Sequence, residues 1–218
     1  MDLNSIRNIS VMAFVDWNAQ IHGFGFNRLD DPNQRTENTL DRTLRGIARL
    51  LVSEASQCRF RVDLRFYHGW HKGFEPTENR RAMITAVARA DFSAMVRHPS
   101  VLISPNIAYG DLLLDALELR CHGRQLVHLP NTLRQQGRGS ELTEKMVDTA
   151  LAVDLLAWAR NSQNGWALLL GDDDDLVPPA FVAEAWTKPS GGRILLVRHQ
   201  RGRQAFLKLD GLLFEMPR

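Results

Sequence analysis

The sequence predicts an α/β fold, because apolar runs of strand length alternate with longer stretches of helical period. Two further observations sharpen this. The apolar run at 9–15 leads straight into Asp16 and the run at 166–170 into Gly171 and four aspartates, and no internal repeat breaks up the chain.

The first strand is expected at Ile9 to Val15, followed by Asp16-Trp17-Asn18. His22 to Asn38 reads as a polar loop, punctuated by Gly23, Gly25 and Asp31-Pro32. Thr39 to Glu54 reads as a helix, with Leu40, Leu44, Ile47, Leu50 and Leu51 on one stripe and Asp41, Arg42, Arg45 and Arg49 off it. In Cys58 to Tyr67, Phe60, Val62, Leu64 and Phe66 alternate with Arg59, Arg61, Asp63 and Arg65, so this strand has a polar face turned to a sheet edge or a cleft. His68 to Thr77 reads as a loop, Glu78 to Arg97 as a helix and Val101 to Ser104 as a short strand. The fold of residues 106–140 stays open. Then come a helix at Leu142 to Arg160, a buried strand at Trp166 to Leu170, a helix from Pro179 and a strand at Arg193 to Val197.

At 218 residues, 44% apolar and 24% charged, the chain has ordinary globular composition and reads as one domain over 1–218. Its motifs fall between about 9 and 190, with 193–218 as a C-terminal strand extension. A chain of this size buries roughly 70% of its unfolded surface, so it needs no disulfide or metal to build a core. Cys58 and Cys121 lie far apart with no zinc spacing, and read as reduced thiols. No signal-like leader appears and no apolar run nears the roughly 20 residues of a membrane span, so a cytoplasmic protein is expected. The formal charge of +2, from 27 Lys and Arg against 25 Asp and Glu, excludes a purely electrostatic nucleic-acid coat.

The run Asp172-Asp173-Asp174-Asp175 carries most of the chemical information. Four adjacent carboxylates repel one another and suit neither helix nor strand, so a fold keeps them in solvent or around a cation. They follow an apolar run of the kind that makes a central parallel strand and precede Leu176-Val177-Pro178-Pro179, where proline suits a first helical turn. That puts them at a strand's C-terminal end, the edge where open parallel sheets bind ligands. Asp16 also ends an apolar strand, so if the two strands are parallel neighbours, two distant segments deliver carboxylates to one point. The alternative for Asp16 is a turn cap, with Asn18 bonding locally.

A third component is Lys145-Met-Val-Asp148 with Asp154, on the helix expected before the acidic strand. Lys145 and Asp148, three apart, are neighbours on that helix, and Asp154 lies about 120° around from Asp148. Asp148 is therefore assigned to the cleft and Asp154 to a supporting place. Carboxylates converging in this way raise one another's pKa or recruit a cation. An oxygen-only ligand set favours Mg²⁺ or Mn²⁺ over zinc. A pair of such ions about 4 Å apart is a standard device for in-line attack of water on a phosphodiester.

These residues resemble a known family. Val15-Asp16-Trp17-Asn18 resembles the D-G-x-N element that ends the first strand of NYN domains, a branch of the PIN-like ribonuclease superfamily. Lys145-Met-Val-Asp148 with Asp154 resembles that family's K-x-V-D-x-x-L-x-x-D helix, and Gly171 to Pro178 its S-G-D-x-D-F-x-P element. The resemblance implies a PIN-like, Rossmann-like fold with a mainly parallel central sheet and helices on both faces. It also implies an endoribonuclease site dependent on Mg²⁺ or Mn²⁺. Asp16 and Asp148 carry over as catalytic metal ligands. Registering the acidic run on Leu-Val-Pro makes Asp173 and Asp175 the D-x-D pair; registering on Gly171 makes it Asp172 and Asp174. The first is preferred, with Asp172 kept as a further candidate ligand and Asn18, Lys145 and Asp154 in support. Trp17 stands where the family has a small residue, and would narrow the site or stack on a base.

RNA is the expected partner, single-stranded or structured, and a homodimer or a protein partner for targeting is compatible with the sequence. Phosphate contacts are assigned first to Arg134, Arg138 and Lys145, with Arg42, Arg45, Arg49, Arg61 and Arg65 as weaker candidates, and His68, Trp70, His71 and Lys72 form a loop cluster able to stack on a base. Gly23-Phe-Gly25 lacks the third glycine of a dinucleotide fingerprint, and no Walker A, H-E-x-x-H or G-x-S-x-G motif occurs. The rivals are a non-catalytic PIN-like scaffold binding RNA or protein, a deoxyribonuclease, and an Asp-x-Asp sugar-nucleotide transferase. The transferase leaves Asp16 and Asp148 without a role.

Overall fold

Alternation in β1 (Asn8–Asp16) sends Ile9, Val11, Ala13 and Val15 to one face of a sheet and Phe14 to the other. The computed structural model describes residues 7–110, 129, 131–135, 142–162, 164–199 and 209–217. After β1 the chain enters a short helix, α1 (Trp17–Gly23), and a 3₁₀ turn at Phe26–Arg28, where the sequence predicted only loop. The long helix α2 (Pro32–Glu54) begins seven residues before the expected Thr39. The reason is local: Asp31 caps it, accepting the Asn33 amide at 2.9 Å, and Pro32 suits the first turn. Its Leu40, Leu44, Ile47 and Leu51 are buried against the sheet, each adding roughly 1.5–3 kcal/mol relative to exposure.

Strand β2 (Arg59–Tyr67) lies beside β1 with Val11 opposite Val62 and Asp16 opposite Tyr67. A small hairpin, β3 (His71–Lys72) and β4 (Glu75–Pro76), occupies the expected loop. The single helix expected over 78–97 is two, α3 (Glu78–Arg89) and α4 (Phe92–Val96), because Ala90 is extended and Asp91 caps afresh on the Ala94 amide. Short strands β5 (Val101–Ile103) and β6 (Ala108–Tyr109) both pair with β2. The polar-faced strand is thus not an edge: β2 sits between β1 and these two.

A second hairpin follows, β7 (Leu133–Gln135) with β8 (Leu142–Glu144). The helix expected from Leu142 begins only at Val147, as α5 (Val147–Asn161), after Met146 at φ 66° has turned the chain out of the strand. Strand β9 (Trp166–Leu170) matches expectation. A 3₁₀ turn at Asp174–Leu176 runs into α6 (Val177–Thr187), followed by β10 (Arg193–Arg198) and β11 (Leu213–Glu215).

The sheet runs β11-β10-β9-β1-β2-β5, with β6 also on β2, and every pairing in it is parallel. One core joins the β1, β2 and β9 side chains to α2, α3 and α4, and a second joins Phe14, Ala167, Leu169, Ile194 and Leu196 to α5 and α6. The architecture is therefore α/β, a parallel sheet flanked by helices in the Rossmann-like manner. Among the described residues no helix is long and apolar enough to cross a membrane. Cys58 is a buried free thiol; Cys121 lies outside the described residues.

Candidate functional site

Strand order places the site. From β1 the chain builds outward through β2 and β5 on one side, then returns to β9, β10 and β11 on the other. The β1/β9 border is thus the point where the winding reverses, and such sheets open a ligand crevice beyond the C-terminal ends of the strands there. Val15 pairs with Leu170 across that border, so Asp16 and Gly171 leave the sheet side by side. A side chain at Gly171 would clash with Leu176 at 2.5 Å and come within 3.5 Å of the Asp16 Cβ, so glycine lets the acidic run pass this close.

Asp16 accepts the Ala19 amide at 3.1 Å and so caps α1, as the turn reading expected, while lying at the crevice. Its pKa is pushed up to about 7, first by burial and then by the charges of Glu144 and Asp148, against the pull of the Ala19 amide and of His68. Asp148 stands in the first turn of α5. Loss of surrounding water, and then the charges of Asp173, Glu144 and Asp175, raise its pKa as well. Glu144 and Asp148 therefore bear on Asp16, and Asp173, Glu144 and Asp175 bear on Asp148.

The acidic run is divided by its partners. Asp174 is paired with the buried Arg198 at 2.8 Å, and the same guanidinium donates to the Asp173 carbonyl at 2.9 Å. Asp172 accepts the His199 amide at 2.8 Å. Asp173 accepts the Asp175 amide at 3.0 Å and caps the 3₁₀ turn. Of the two D-x-D registers, Asp173 with Asp175 is the pair whose charges bear on Asp148. Beside the run, His22, Gly23, Arg198 and His199 line a cleft of about 620 Å³. A concavity of about 630 Å³ at the opposite end of the strands, lined by Arg7, Arg59, Trp166 and Arg193 among others, holds no such convergence.

Glu144, at the end of β8, is the residue that sequence reasoning missed. It is ion-paired to His68 Nδ1 and accepts the Gly69 amide at 2.5 Å. Burial pushes its carboxyl up, but the His68 and Gly69 bonds outweigh that and hold it below the usual range. His68 Nε2 contacts Asn79 Nδ2 at 2.6 Å, and Asn79 Oδ1 accepts from Arg35 at 2.8 Å, so a polar chain runs from α2 to the crevice. Reading 142–160 as one helix put Glu144 on a helix surface and hid it. The available signal was its position just before Lys145-Met-Val-Asp148.

Several assignments need correction. Trp17 is fully buried, edge-on to Phe66 with ring centroids 5.2 Å apart, and offers no base a platform. Asp154 is also fully buried; it pairs with Arg65 at 2.7 Å and accepts the Tyr67 hydroxyl at 2.8 Å. That removes Asp154 from support of the crevice and the buried Arg65 from phosphate contact. His68, Trp70 and His71 are buried too, leaving Lys72 as the exposed member of that cluster. Lys145 is exposed but lies between β8 and α5, so it is not a helical neighbour of Asp148.

Arg61, six residues before the end of β2, is about 20 Å from the crevice edge at 3.3 Å per residue. Arg45 is tied to Asp41 at 2.5 Å. Arg134 is exposed on β7, and Asn18 is half-buried in the first turn of α1. Arg138 lies outside the described residues.

Among the described residues, no three His, Cys, Asp or Glu side chains are disposed as a ready-made cage for one ion. The donor chemistry nevertheless fits a hard divalent cation: the donors are carboxylate oxygens, and a Cβ at Gly171, where the acidic run begins, would come within 3.8 Å of Asp16 Oδ2. No family model, curated protein or solved structure matches the chain.

Proposed function

We propose that this chain is a metal-dependent ribonuclease that hydrolyses RNA phosphodiester bonds, of the NYN and PIN-like kind that its three motifs resemble. The observation that carries the reading is that Asp16 and the acidic run leave adjacent strands side by side where the winding of a parallel sheet reverses, with the charges of Glu144 and Asp148 bearing on Asp16. Asp16, Asp148, Asp173 and Asp175 would hold Mg²⁺ or Mn²⁺, with Asp172 at the margin, where it already accepts the His199 amide. Asp148, Asp173 and Asp175 are exposed to solvent, where an ion would reach them.

Bound divalent ions supply charge neutralisation for the phosphate and an acidified water as nucleophile. The chain's own part is positional. Asp16 is fixed by the Ala19 amide, Glu144 by His68 and Gly69, and Arg198 holds Asp174 away while anchoring the Asp173 carbonyl. A transferase reading leaves the Asp16, Glu144 and Asp148 grouping without use. The test is incubation of the pure protein with labelled RNA and DNA under Mg²⁺, Mn²⁺ or EDTA. RNA cleavage abolished by EDTA is the expected result; DNA cleavage alone, or none under either metal, overturns the reading.

A further inference from the structure

We propose that the two hairpins beside the carboxylates form a ledge for single-stranded RNA, with Phe74 as the ring on which an unpaired base stacks. This rests on the ribonuclease reading and adds to it where the substrate lies. Phe74 sits at the β3–β4 turn and is 77% exposed, the most exposed large apolar side chain among the described residues.

The turn that carries it is fixed. Gly73 takes the left-handed φ of 62°, its amide donates to Asn131 Oδ1 at 2.8 Å, and its carbonyl accepts the Asn131 amide at 2.8 Å. His71 is bonded to Thr132 Oγ1 at 2.9 Å, and the Thr132 carbonyl accepts the Lys145 amide at 2.9 Å. The β3–β4 and β7–β8 hairpins are thus one bonded unit that displays the phenyl ring to solvent.

That unit adjoins the site and presents exposed cations to solvent, although Glu75 stands opposite Lys72 across the first hairpin. Glu144 at its inner end bonds His68 and Gly69, and Asp148 follows Lys145 by three residues. Gly69 lies tight under β7 and β8, where a Cβ would meet Leu133 at 3.0 Å and Glu144 at 3.3 Å. Lys72, Arg134 and Lys145 are exposed on the ledge, with Arg134 against the Met146 sulfur at 3.9 Å. Cations beside an aromatic ring match a single strand, which offers phosphates and open base faces together. In an A-form duplex those faces are stacked away.

The test compares wild type, Phe74→Ala and Phe74→Trp for binding of a fluorescent single-stranded RNA by anisotropy, in EDTA at low salt. A blunt RNA duplex of the same length is the control. Phe74→Ala is expected to weaken single-strand binding by about 5-fold or more, Phe74→Trp to keep it within about 2-fold, and neither to move duplex binding by more than about 2-fold. Unchanged single-strand binding by Phe74→Ala, equal loss for strand and duplex, or no RNA binding by wild type overturns the ledge. Equal melting temperatures of the three proteins separate a binding loss from a folding loss. Cleavage by wild type is read in a parallel assay with Mg²⁺ or Mn²⁺. Binding without cleavage counts against the ribonuclease reading while the Phe74 comparison still decides the ledge.

Discussion

Arg198 donates to Asp174 at 2.8 Å, and this bond divides the four-aspartate run into members with different work. Asp174 is spent on a buried guanidinium, whereas Asp173 and Asp175 load their charge onto Asp148. Asp173→Asn and Asp175→Asn should therefore each lower RNA cleavage by about 100-fold or more, the scale on which loss of positioned electrostatics acts. Asp174→Asn should stay within about 10-fold of wild type in rate and show a lower melting temperature, because Arg198 loses its carboxylate. Steady-state rates and thermal melts of the three variants check this.

Arg65 and Asp154 predict the reverse pattern. Both side chains are shut away from water, and the Tyr67 hydroxyl completes the cluster. Removing one partner strands a buried charge, at a cost of about 3–5 kcal/mol. Asp154→Ala should lower the urea midpoint accordingly, and a variant that remains folded should bind RNA as wild type does.

Asp16 sets a pH dependence with a definite sign. Its folded pKa, about 7, lies above the ordinary aspartate value of 3.8. Between those values the folded state binds more proton than the unfolded, so Asp16 contributes decreasing stability as pH rises through that window. Metal-free protein should lose stability from about pH 4 to pH 7 through this group, and Asp16→Asn should flatten that part of the curve. Urea denaturation in EDTA across the range measures it.

Glu144 and His68 act as a pair that positions the site. Glu144→Gln keeps the shape but removes a negative charge that raises both Asp16 and Asp148. The Mn²⁺ concentration for half-maximal cleavage should rise by about 10- to 100-fold, as for other groups that support metal ligands. His68→Asn should shift it in the same direction by less, since the Gly69 amide still holds the carboxylate.

Much of this was legible because it rests on short-range pattern. The alternation in 9–15 and the apolar run at 166–170 located β1 and β9, and Asp16 after the first and Gly171-Asp172 after the second located the crevice edge. Burial was not legible. Trp17, Arg65 and Asp154 look like surface chemistry in one dimension, and only the packing of α1 and α5 on the sheet encloses them. Glu144 was hidden because Leu142 to Arg160 reads as one helix, while antiparallel pairing of Leu142–Glu144 with Leu133–Gln135 in a hairpin makes its first residues a strand.

The most direct test follows RNA cleavage by wild type and Asp173→Asn side by side, in Mn²⁺ and in EDTA. Cleavage should be present only for wild type in Mn²⁺, with Asp173→Asn folded to the same melting profile. Equal cleavage by the two proteins, or cleavage that persists in EDTA, would contradict a carboxylate-held metal as the source of the activity.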